Sequence, residues 1–208
     1  MSINLFFMLV CGLLSYMSFN NAALFHKLKH WPFAEVRDKE YYRLLSSGFI
    51  HGSWIHLLVN MFVLYMFGGA VESKFIAVFG PVMGAINYSI LFIVTIVLAD
   101  IPSMIKHKNN PSYAAVGASG AVSGIVFTYI LFEPWQLLYL YAIIPIPGII
   151  AGILYLLYSS WASKNSQDNI DHDAHFYGAV TGMCIAILLH PQFLWNFLEK
   201  LMHIPYFN

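Results

Sequence analysis

Residues 115–132 read AVGASGAVSGIVFTYILF. No charged residue interrupts the stretch, and at about 1.5 Å rise per residue a helix of this length crosses a hydrocarbon core roughly 30 Å thick. Its two halves differ in kind. The first carries Gly117, Ala118, Ser119, Gly120, Ala121, Ser123 and Gly124, which leave the backbone nearly bare, and the second is built from Ile, Val, Phe, Tyr and Leu. Polar groups at membrane depth are costly and tend to be functional. The stretch therefore reads as a membrane-spanning helix with a hydroxyl, Ser119, near its start.

Reading outward, five further apolar blocks flank it, at about 3–19, 54–70, 76–98, 136–161 and 174–190. The whole chain is 59% hydrophobic and 10% charged with a mean hydropathy of +0.67. An average soluble domain is roughly 45–50% apolar and about 25% charged. The expectation is an all-α polytopic membrane protein, one membrane-embedded domain over 1–208 with six transmembrane helices. The run Ile3 to Leu14, followed by Ala22 and Ala23, also fits a cleaved signal peptide, but no basic residue precedes it, so a retained span is expected.

Between the blocks, residues 20–53 interleave Lys27, Lys29, Arg37, Lys39 and Arg43 with Trp31, Phe33, Tyr41 and Tyr42, a mixture suited to the headgroup region. Residues 100–116, with Pro102 and Pro111, read as a polar loop. Pro145-Ile146-Pro147-Gly148 is expected to kink the fifth span. Zero formal net charge points away from nucleic acid and leaves the lipid bilayer as the partner. Cys11 and Cys184, both within expected spans, read as small buried apolar residues and not as a disulfide.

If six helices alternate in direction, the second, fourth and sixth run the same way. Their N-terminal ends then share one membrane face, which brings His56 and Asn60, Ser119, and His175 to one depth. A hydrolase needs that convergence: a hydroxyl nucleophile, a base within hydrogen-bond reach and donors aimed at a developing oxyanion. Gly120 and Gly124 in the fourth span, and Gly178 and Gly182 in the sixth, are small-xxx-small faces that let two backbones approach closely. Alone, Asn60 would read as an interhelical hydrogen bond and Ser119 as a small residue at a crossing. A metal site on His172, His175, Asp171 and Asp173, or on His51 and His56, would leave Ser119 and the glycines unexplained, so no metal is expected.

The segment His51 to Asn60 (HGSWIHLLVN), the following Gly68-Gly69-Ala70-Val71-Glu72, the element Gly117-Ala118-Ser119-Gly120, and Ala174-His175 with Gly178 and Gly182 together resemble the rhomboid intramembrane protease family in order and spacing. The resemblance extends from about Tyr42 to about Leu189. It implies a catalytic dyad of Ser119 and His175 without an acidic third member. The oxyanion site it implies is made of the His56 and Asn60 side chains and the Ser119 N–H. His51 would be an auxiliary polar residue, Gly117 a helix-packing glycine with Gly120, Gly124, Gly178 and Gly182, and Arg43 and Glu72 structural anchors. In several relatives an aromatic residue one turn after the nucleophile stacks on the catalytic imidazole. Here that place holds Ser123, so either another aromatic, such as Tyr177 or Phe127, shelters the ring, or the imidazole is more loosely held.

The resemblance further implies cleavage of transmembrane protein substrates, no cofactor, and a bacterial inner membrane location with the site toward the outer face. Against that sidedness, eight of the ten Lys and Arg residues lie on the active-site side, only Lys74 and Lys200 lying opposite. An inactive rhomboid-like protein that binds membrane clients is the alternative. Such relatives usually lack the nucleophile or the base, and this chain retains both.

Overall fold

The computed structural model describes residues 2–205 apart from 141, 142, 167 and 169. Helix α1, Ile3–Phe19, starts at Ser2, whose side chain accepts from Leu5 N. Residues 20–53 fold into α2 (Ala22–Leu28), α3 (Pro32–Arg37), α4 (Arg43–Ser46) and a 3-10 turn, Ser47–Phe49. None of these is long enough to be stable alone. Arg43 ties them together, donating from Nη1 to His26 O (2.7 Å) and Lys29 O (3.2 Å) and from Nε to Glu40 (2.6 Å). A fully buried His30–Glu35 pair at 2.7 Å adds a second clamp, and the Glu35 carboxylate, with nearby acids, raises the His30 pKa although burial lowers it.

Helix α5 (Trp54–Val63), a π turn (Leu64–Gly68) and α6 (Gly69–Phe79) form one continuous 26-residue helix. The wider turn disturbs the ordinary i to i−4 bonding, and a side chain from α1 fills in: Asn4 Nδ2 donates to Leu64 O at 3.1 Å, while Tyr88 OH holds Asn4 Oδ1 at 2.7 Å. Glu72, buried on α6, accepts from Ile3 N (2.7 Å), Asn4 N (3.3 Å) and the Ser2 hydroxyl. A carboxylate there complements the positive end of α1.

Helix α7, Pro81–His107, follows Gly80, which closes α6 with φ +79. The expected span 76–98 is thereby corrected. Residues Ile76 to Phe79 belong to α6, and α7 continues through Pro102, so the expected loop 100–116 is helical as far as His107. Pro102 forfeits one backbone bond, but side chains beyond it hold the last turns in place: Ser103 Oγ donates to Asp171 (2.7 Å) and Lys106 Nζ to Asp173 (2.6 Å).

Helix α8, Ser119–Phe132, starts later than the expected 115 and is the centre of the structure, with eleven of its fourteen residues buried. The expected fifth span, 136–161, is also corrected. Leu137–Leu140 (β1) and Ile144–Pro147 (β2) pair as an antiparallel hairpin, so the fold is not purely α-helical, and α9 runs only over Gly148–Asn165. Pro145 and Pro147 have no N–H and push the residues before them into extended backbone, which starts the helix after Pro147 and leaves no kink inside it. Helix α10, His172–Leu189, ends before Pro191, and α11, Gln192–Met202, turns away from it by 113°.

Among the described residues, Trp54–Phe79 and Pro81–His107 are long and apolar enough to cross a membrane, the bent pair α10–α11 makes a third candidate, and α1 and α8 are shorter apolar helices. Cys11 is buried as expected, whereas Cys184 is exposed on the outer face of α10.

Candidate active site

Three helix starts meet around Ser119. The start of α10 lies directly on α8: a methyl group on Gly120 would come within 3.3 Å of Ala174 O, and one on Gly178 within 2.2 Å of Gly120 O. One turn deeper, Gly182 and Gly124 repeat the contact at 2.4 Å. No helix separates the strip that carries Ser119 from the strip that carries His175. Ser119 and Ala174 also line one small cavity of about 10 Å³, together with Ser47, Asp100 and Asp171.

The start of α5 arrives from the other side. Ser53 caps it, accepting from His56 N at 3.2 Å, and the His56 ring is laid against Gly117. A Cβ on Gly117 would stand 2.6 Å from His56 Cε1 and 2.7 Å from Nε2. Gly117 has φ +124, which an L side chain rarely adopts. Its place is therefore beneath an imidazole and not in a helix crossing, which corrects the packing role expected of it.

His51 underlies His56, their rings edge to face at 5.0 Å. The Ala118 N–H makes a long contact to His51 Nε2 (3.5 Å), and Ser15 Oγ lies 2.9 Å from Nδ1. An amide donor at Nε2 requires a neutral ring with its proton on Nδ1. Burial, and secondarily the charge of His56, pushes the His51 pKa down to about 3, which keeps it neutral. Asn60 is buried and turned onto its own helix, donating Nδ2 to His56 O at 3.0 Å.

The capping of the three helices differs. Ser53 caps α5, and Asp171 caps α10 by accepting from Ala174 N (2.9 Å), but no side chain caps α8 at Ala118. The first amide groups of α8, beginning with Ser119 N–H, are left without a helical partner. Asp171 is otherwise engaged with Ser103 Oγ (2.7 Å) and Tyr113 OH (2.7 Å), Asp173 with Lys106 and Ser163, and His172 with Asp168 (3.1 Å). Among the described residues, no hydrogen bond joins Ser119 Oγ to His175, and no cluster of three or more His, Cys, Asp or Glu side chains is disposed to hold a metal.

The aromatic neighbour of His175 is neither of those expected. Tyr155, on α9, lies over the imidazole at a centroid distance of 6.2 Å with 23° between planes. Phe127 touches Tyr155 instead (5.7 Å), and Tyr177 points away, against Phe176. Sequence reasoning missed Tyr155 because it lies far along the chain on another helix. The one available signal was the unfilled aromatic place at Ser123.

The sequence profile of the rhomboid domain matches residues 38–192, three quarters of the chain, and includes α5, α8, α9 and α10. The chain belongs to the rhomboid family. It is an integral membrane protein with apolar spanning helices. Among curated rhomboid proteins it is similar to RHOMBOID-like protein 4 of Arabidopsis thaliana, 28% identical over 164 residues, covering 77% of this chain and 37% of that protein. The mitochondrial RHOMBOID-like protein 12 of the same plant is 30% identical over 147 residues (65% and 43%). Rhomboid protease GlpG of Klebsiella pneumoniae is 24% identical over 165 residues (76% and 52%). The chain thus spans about a third to a half of the length of these rhomboid relatives.

Proposed function

We propose that this rhomboid is an intramembrane serine endopeptidase in which Ser119 is the nucleophile and His175 the general base. The observation that carries the reading is the backbone contact of Gly120 with Gly178, which sets the start of the serine helix against the start of the histidine helix. Ser119 Oγ adds to the scissile carbonyl while its proton passes to His175. The C–N bond then breaks as His175 returns the proton to the leaving nitrogen, and water hydrolyses the resulting ester. The uncapped amides at the start of α8 and the His56 imidazole on Gly117 are the donors best disposed to meet the oxyanion. Asn60 joins them with its second amide proton, the first being held by His56 O. The reading does not require a hydrogen bond between Ser119 and His175 in advance, because catalytic hydrogen bonds often tighten only as substrate binds.

Substrates are transmembrane proteins whose helix unwinds locally near the membrane surface, because a helical peptide bond is shielded by its own hydrogen bonding. Six helices, α1, α5–α6 and α7 to α10, cross the bilayer as one domain of a bacterial inner membrane with the site toward the outer face. A cysteine placed at His107, in a background lacking Cys11 and Cys184, is then labelled from outside intact cells.

Purified wild-type protein should cut a generic transmembrane substrate into two fragments that sum, by mass, to the substrate plus one water, and Ser119→Ala should not. Retained turnover in Ser119→Ala would overturn the assignment. Among the described residues no hydrogen bond joins Ser119 to His175, which favours one competing reading, a client-binding rhomboid without activity, and failure of a fluorophosphonate probe to label Ser119 would support it.

A further inference from the structure

We propose that Tyr155 is the positioning residue of the His175 imidazole and that Ser123 couples it to the nucleophile's own helix turn. The proposal rests on the reading of Ser119 and His175 as the reacting pair. Ser123 stands one turn after Ser119 and is too short to reach the imidazole. Its hydroxyl makes two bonds: it donates to Ser119 O (2.8 Å), and it lies 2.6 Å from Tyr155 OH. A serine hydroxyl has one proton, and a carbonyl can only accept, so the phenol must be the donor to Ser123. The result is a one-way relay of bonds, Tyr155 O–H to Ser123 Oγ–H to Ser119 C=O.

The relay fixes the tip of the Tyr155 ring to the turn that bears the nucleophile, while the ring face lies over His175 at 6.2 Å and 23°. That separation is within the range of offset-stacked aromatic pairs. On a second side the imidazole meets the edge of His172, at 6.0 Å and 86°. Helix α9 comes close enough for this because Gly152, three residues before Tyr155, has no side chain. A Cβ there would already press on Ile130 Cδ1 at 3.3 Å and Phe127 Cε1 at 3.4 Å. A tyrosine that merely filled space would not need its hydroxyl tied to the α8 turn. Here both the plane of the ring and its tip are determined.

The test compares Tyr155→Phe, Tyr155→Leu and the double variant Tyr155→Leu/Ser123→Tyr, which moves the aromatic onto α8, with wild type and Ser119→Ala alongside. Tyr155→Leu should lower kcat on the order of 10- to 10²-fold, as expected for a misplaced catalytic group, with little change in KM. It should also move the acid limb of the pH–rate profile. Tyr155→Phe should lose less, and the double variant should recover most of the loss. Folded Tyr155→Leu protein with wild-type kcat and pH profile would overturn the proposal. So would a loss in the Leu variant with an unmoved pH profile, the signature of simple packing, or equal losses in the Phe and Leu variants, which would leave the ring no part in holding the imidazole. If wild type itself cuts nothing, the reading of the site has failed, and NMR of the His175 ring still tests the contact. Its ring-current shift should persist in Tyr155→Phe and vanish in Tyr155→Leu, and a resonance indifferent to both would refute it.

Discussion

Gly178 lies so close to Gly120 that a methyl group on it would stand 2.2 Å from the Gly120 carbonyl oxygen. The obstacle is backbone, which cannot rotate aside, so α8 and α10 must part if any side chain is added. Overpacking of a core typically costs about 1–3 kcal/mol, and a rigid obstacle puts Gly178→Ala at or above the top of that range. Gly69→Ala is the control, since nothing lies within 4 Å of its added methyl group, and it should be neutral or gain up to about 1 kcal/mol of helix propensity. Thermal melts followed by circular dichroism in detergent check both. A Gly178→Ala protein that melts with wild type would mean that the two strips are not in contact.

Asn4 supports the π turn of the long α5–α6 helix. Replacing it by Ala leaves Leu64 O without its 3.1 Å donor and Tyr88 OH without its acceptor. An unsatisfied buried group costs about 1–3 kcal/mol, so Asn4→Ala should lower stability by at least that much. Asn4→Ala should also expose the turn to hydrogen exchange at residues 64 to 68. Unchanged protection there would show that the turn holds without α1.

His51 gives stability an acid limb. Its pKa falls from an ordinary 6.5 to about 3, first because it is buried and then because of the His56 charge. A depressed histidine stays neutral in the folded state while the unfolded chain takes up a proton. Stability is therefore full above about pH 6.5 and is lost as pH falls from there toward 3, by as much as a few kcal/mol. His51→Gln should make this limb shallower between pH 6.5 and 4 in denaturation curves. The same slope in wild type and variant would assign the limb to another group.

Much of this architecture was legible from one-dimensional pattern. Uninterrupted apolar blocks mark where helices lie, and the glycines at 120, 124, 178 and 182 identify which two touch. What escaped has local causes. The block across Phe75 and Phe79 hides the break at Gly80, because hydropathy does not register a positive φ. The expected span 54–70 stops short of Glu72, yet the helix continues through it to Phe79, since a carboxylate can stay inside a helix when its partner, the start of α1, comes from 68 residues or more away. Pro102 looked like loop because the bonds that hold the turn after it come from Asp171 and Asp173. Pro145 and Pro147 looked like a kink, whereas two prolines at alternate positions suit an extended strand. Within the site, Ser119, His175, His56 and Gly117 could be named, but Tyr155 could not, because nothing in its own neighbourhood distinguishes it from the lipid-facing residues of α9.

Gly117 and His56 offer the sharpest test of the proposed oxyanion site. An alanine at Gly117 meets two obstacles: φ of +124 and an imidazole 2.6 Å from the new methyl group. The ring is the softer of the two and should swing away, taking its N–H from the place beside Ser119. Loss of one oxyanion donor costs on the order of 10²–10³ in rate, so Gly117→Ala and His56→Ala should each lower kcat by about that much. In the double variant the methyl group enters the space that the imidazole leaves. The second substitution should then add little beyond backbone strain of about 1–3 kcal/mol, read in stability rather than in turnover. Multiplying rate losses in the double variant would show instead that Gly117 acts on Ser119 directly, through the backbone that leads into α8.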